Sequence, residues 1–118
     1  MDPQELRLSN WVLFSEGKEY IQITHLSTLD RKTYDLIESI PLTEEILLKC
    51  GFNLTVTENL YSLFTFKGIT VELKKMKREY VTDVCFNGFK VRRIESLHDL
   101  QNLYFQLYRE ELEINLRD

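Results

Sequence analysis

The dipeptide Asn87-Gly88, set between the runs Tyr80–Phe86 and Phe89–Ile94, constrains this chain more than any other feature. A two-residue hairpin turn needs positive φ at both central positions, and Asn and Gly are the residues that tolerate it. The two-residue loop also sets a register. On one face it pairs Phe86 with Phe89, Val84 with Val91 and Thr82 with Arg93. On the other it pairs Cys85 with Lys90, Asp83 with Arg92 and Val81 with Ile94. One face is apolar near the turn and the other carries a cross-strand ion pair.

Upstream the same period of two recurs. Leu60, Ser62, Phe64 and Phe66 share a side, Lys67-Gly68 makes a turn, and Ile69, Val71 and Leu73 return on the same face. The two hairpins together predict a four-stranded antiparallel meander over 60–94. The opening residues 1–42 read as a three-stranded antiparallel unit: Asn10–Phe14, a polar turn at Ser15–Lys18, a return through Tyr20, Ile21 and Ile23, a second turn at Asp30–Lys32, and a third strand from Tyr34 to Ile40 stopped by Pro41. Between the strand regions lies a short helix over 43–51. Thr43 can cap it, Glu44 and Glu45 suit its positive end, and Gly51 can adopt the left-handed conformation that stops it.

The chain closes on an amphipathic helix, Ser96 to Leu112. At 100° per residue Leu97, Leu100, Leu103, Tyr104, Leu107 and Tyr108 fall within about 140° of arc, a width suited to packing on a sheet. Ser96 and Asp99 mark its start. The expectation is an α+β single domain with this helix covering the meander.

Composition narrows the function classes. A length of 118 residues with 43% hydrophobic content suits one core. The longest apolar run falls far short of the roughly 20 residues that cross a bilayer, and the acidic start Met1–Glu5 is unlike a signal peptide, so a cytoplasmic protein without a membrane role is expected. Cys50 and Cys85 lack metal-ligand spacing and read as reduced thiols. The net charge of -4 is unevenly spread: residues 67–93 carry +5 and the remainder -9.

Two segments also resemble a known group of sequences. The run from Ile40 to Phe52 (IPLTEEILLKCGF) and the run from His98 to Leu112 (HDLQNLYFQLYREEL) are similar to a family of small uncharacterised proteins from prophages and mobile elements of Bacteroides-related gut bacteria. The opening Leu6–Val12 matches loosely and the middle hairpins in pattern alone. The resemblance implies a small accessory protein that binds a host or phage protein. It carries no activity and no site residues. Such proteins tend to read Leu-Thr-Gly-Glu-Glu-Leu where this chain has Leu107 to Leu112 with Arg109 in place of the glycine, so the helix is expected to run on here.

No phosphate loop, nucleophile elbow, metal-ligand cluster or calcium loop is present, and no enzyme, cofactor or metal is expected. His25 and His98 lack catalytic company, and Glu44 and Glu45 point about 100° apart on a helix. Two binding surfaces remain as candidates. Phe105 and Leu112 widen the apolar arc of the last helix to about 200°, which suggests a second contact, either with Trp11 of the same chain or with a protein partner or second copy. The alternative is nucleic acid held by a basic edge of Lys74, Lys75, Lys77, Arg78, Lys90, Arg92 and Arg93. Against it stand the acidic whole and the lack of clustered aromatics.

Overall fold

The computed structural model describes residues 6–14, 19–23, 36–75, 80–114 and 116. The expected turns at Ser15–Lys18 and Asp30–Lys32, the start of the third strand at Tyr34, and His25 lie outside the described residues. The architecture is α+β, with two antiparallel sheets and two helices. The described residues fall into two compact units. One draws on the chain up to Pro41, on Ser96–Leu112 and on Leu116; the other on Leu42–Glu95 with Glu113 and Ile114.

The first unit holds β1 (Trp11–Phe14), β2 (Glu19–Gln22) and β3 (Ile37–Glu38) in the order β2-β1-β3. Its core gathers Leu6, Val12, Ile23 and Ile37, with Phe14 and Ile21 packed against them. Leu6 to Ser9 leads into β1 as a turn, with Ser9 at φ 72 and its amide bonded to the Ile23 carbonyl at 2.8 Å. The chain leaves this unit at Pro41 and re-enters at Ser96. Pro41 and Ser96 form an antiparallel bridge, and the Leu97 amide donates to the Ile40 carbonyl at 2.8 Å.

The second unit begins with α1 (Glu44–Lys49). The Thr43 hydroxyl accepts from the Ile46 amide as expected, and Gly51 stands at φ 94 beyond the helix end. A five-stranded meander follows in sequence order: β4 (Asn53–Thr57), β5 (Tyr61–Phe66), β6 (Ile69–Lys75), β7 (Tyr80–Phe86) and β8 (Phe89–Ile94). The meander therefore starts at residue 53 rather than 60. The added strand, Asn53–Thr57, forms one edge of the sheet, with Val56 half-buried and its other residues exposed. Phe64, Ile69, Val71, Leu73, Val84 and Ile94 line the buried face, and Phe52 meets Phe66 at 5.4 Å between ring centroids.

The last helix, α2, spans Leu97–Tyr108 and stops four residues before Leu112. Arg109 takes a left-handed conformation, φ 58 and ψ 26, which ends the helix where glycine would ordinarily be favoured. The sequence assigns this helix to the meander; the structure groups it with the first unit, where it packs on β1. The reason lies in polar side chains: Gln101, at 1% exposure, accepts from the Trp11 amide at 2.8 Å and donates to the Ser9 carbonyl at 2.9 Å. These bonds satisfy backbone groups beside the β1 strand, so the helix is docked there by amide chemistry as well as by its leucines.

Candidate functional site

The first candidate surface, Phe105 with Leu112 and Trp11, loses two of its three members to the core. Trp11 and Leu112 are each 4% exposed. Phe105 is half-buried, and the Arg7 guanidinium lies 4.4 Å from its ring centroid. Arg7 is itself fixed by Asn102 Oδ1 at 2.9 Å, the Gln101 carbonyl at 3.2 Å and Glu111 Oε1 at 2.5 Å. Asn10, fully buried, accepts from the Arg7 amide and donates to Asn102 Oδ1 at 2.9 Å. The wide arc of the helix thus meets its own chain: Arg7 stacks on Phe105, and Asn10 and Trp11 bond to Asn102 and Gln101 of the same helix.

His98 also turns inward. It is 2% exposed, with Nδ1 3.1 Å from the Ser96 hydroxyl, and that hydroxyl caps the helix by accepting from the Asp99 amide at 3.4 Å. The group is a helix start tied into the core.

The second candidate, the basic edge, is partly described. Lys77 and Arg78 lie outside the described residues, and of Lys75 the backbone pairing with Tyr80 is described. Lys74, Lys90 and Arg93 converge on Asp83, which is 4% exposed: Lys74 Nζ at 3.6 Å, Lys90 Nζ at 3.9 Å and Arg93 Nε at 3.1 Å. Lys74 also reaches Glu72, the residue paired with Asp83 across β6 and β7. Burial alone would raise the Asp83 carboxyl. The Arg93 hydrogen bond and the charges of Lys90, Arg93 and Lys74 outweigh it and hold the group below the ordinary carboxylate range.

This convergence corrects the expected register. Phe86–Phe89 and Cys85–Lys90 pair as predicted, but a bulge then leaves Val91 as the extra residue, so Val84 faces Arg92, Asp83 faces Arg93 and Thr82 faces Ile94. The ion pair predicted for Asp83 with Arg92 is made with Arg93. Among the described cations of this edge, Arg92 has no carboxylate within ion-pair distance.

The bulged strand β8 is the last of its sheet, and residues Phe89 to Arg93 are all exposed. Phe89 is 78% exposed and Val91 42%. Two apolar side chains therefore stand in the open among Lys90, Arg92 and Arg93. Strict alternation turns Phe89 and Val91 toward the core face; both are exposed because Phe89 sits at the turn end of a terminal strand and Val91 is the extra residue of the bulge. No helix among the described residues is long and apolar enough to cross a membrane, and no metal-binding group of His, Cys, Asp and Glu occurs among them. Comparison with protein-family models, with curated proteins and with solved structures found no match.

Proposed function

We propose that this chain is a non-enzymatic protein-binding module whose contact surface is the outer strand β8. The observation that carries the reading is the exposure of Phe89 and Val91 on an edge strand between three cations. Large apolar side chains left in water beside charge are the composition of an interface, with an apolar centre and a polar rim. The resemblance to mobile-element proteins agrees with a small accessory factor that acts by binding.

The nucleic-acid reading is weaker on the same residues. Two carboxylates, Asp83 and Glu72, offset two of the three charges on Lys74, Lys90 and Arg93, and the strand offers one exposed ring for stacking.

The test is selection of peptides from a displayed random library on the immobilised protein, with Phe89→Ala and Val91→Ser as counter-selectors. Peptides bound by the parent and lost on Phe89→Ala support the reading. Peptides that bind both alike, or none at all, overturn it.

A further inference from the structure

Resting on the reading of β8 as the contact surface, we infer that its partner is an acidic, extended segment of another protein that adds to the sheet as a further strand alongside β8. Three features converge on this chemistry. First, β8 ends the five-stranded sheet, so its outer side is the place where a ladder would be extended. Second, its exposed residues mix apolar and basic side chains: by register Phe89 and Arg92 share one face, Lys90 and Arg93 the other, and Val91 is the extra residue of the bulge. An incoming strand with acidic and β-branched residues would meet cations on both faces and apolar surface at Phe89 and Val91. Third, Arg92 has no carboxylate of its own among the described residues, whereas Lys90 and Arg93 are held in place by Asp83 and are still more than half exposed, at 64% and 58%. Asp83 acts here as a positioning residue that fixes two cations along the strand.

The same charges choose between occupants. A second copy pairing β8 with β8 would set three cations against three, which repels, so the edge is closed to its own kind. Charge and a bulge alone would suffice as such a guard. Phe89 and Val91 serve no part of it, and their exposure gives the edge something to bind with. For a nucleic-acid strand, the carboxylates of Asp83 and Glu72 lie among the very cations that would hold its phosphates.

The probe is a capped, fluorescently labelled peptide of alternating Glu and Val, titrated with the full chain and followed by anisotropy. Beside it run the same peptide with alternate backbone amides N-methylated, a Lys/Val peptide, and a labelled oligo(dT). The inference expects the Glu/Val peptide to bind and to weaken with added salt. N-methylation and Arg92→Glu should each weaken it roughly tenfold or more, since one removes ladder hydrogen bonds and the other reverses a contact charge. Backbone amide shifts should be confined to the Phe89–Arg93 strand and its neighbour. Arg92 is exposed, so an unchanged melting curve shows that Arg92→Glu still folds. Binding indifferent to N-methylation, or no binding of the acidic peptide, overturns the inference. If library peptides of another composition still depend on Phe89, the protein-binding reading stands without it. Binding of oligo(dT) and of no peptide overturns both.

Discussion

Replacing Gln101 by Met tests whether buried amide chemistry docks the last helix on β1. The two side chains are close in volume, so little cavity opens. What is lost is specific: the acceptor for the Trp11 amide at 2.8 Å and the donor to the Ser9 carbonyl at 2.9 Å. The Ser9 carbonyl keeps a second donor in Gln22 Nε2 at 3.0 Å, so its loss is partial. The Trp11 amide loses its acceptor at a site where Gln101 is 1% exposed. Two net hydrogen bonds are worth about 1 kcal/mol each, and a desolvated amide left behind adds about 1 more, partly offset by the more apolar side chain. The expected loss is about 2–3 kcal/mol, read as a lower urea midpoint at unchanged slope and a melting temperature roughly 10 °C lower. Gln106→Met on the exposed face of the same helix is the control and should stay within about 0.5 kcal/mol of the parent. If Gln101→Met and Gln106→Met melt alike, the amide does not dock the helix, and the leucine stripe alone would have to explain its place on β1.

Four further outcomes follow from the same geometry. Asp83→Asn should lower stability at neutral pH by about 1 kcal/mol, a figure kept small because its cations are exposed and screened. Because the folded carboxyl titrates below its unfolded value, the contribution is present above the unfolded pKa and lost as pH falls through the folded one; acid titration of the urea midpoint should therefore bring parent and variant together. Burial pushes the Cys50 thiol up to about 12, so native labelling with iodoacetamide should modify the half-exposed Cys85 well before Cys50, and stability should decline as pH rises past 9.0, where the unfolded thiol ionises first; equal labelling rates would refute this. Phe105→Ala should destabilise the free protein by about 1–2 kcal/mol through lost packing and the lost Arg7 stack, measurable by urea melt; an unchanged melt with weakened partner binding would return Phe105 to the interface. Arg109→Gly should raise stability by about 0.5–1 kcal/mol, because the left-handed residue at φ 58 is relieved of its Cβ; a drop in melting temperature would show that the Arg109 side chain does more than end the helix.

What the sequence made legible and what it hid separate along one physical line. Asn87-Gly88, Thr43, Ser96 and the alternation Phe64, Phe66, Ile69, Val71 are local signals, and each fixes its own turn, cap or buried face without help from elsewhere in the chain. The errors arose where a local pattern conflicts with itself or where burial is polar. Gln101, Asn10 and His98 lie in the core through hydrogen bonds made to residues far along the chain or to a cap, and no periodicity of apolar residues reports them. The β8 bulge was hidden in a different way. Ile94 is buried opposite Thr82, and Phe89 faces Phe86 across the turn, yet the two lie five residues apart, an odd number that strict alternation would send to opposite faces. One inserted residue resolves the parity. It carries Ile94 into the core and moves Arg93 to Asp83, while Arg92 is left without a carboxylate. The same step that completes the core of the sheet leaves Val91 and Arg92 outward, so that part of the proposed binding edge is a consequence of how this hairpin had to close, while Phe89, which precedes the bulge, keeps the pairing that the Asn87-Gly88 turn sets.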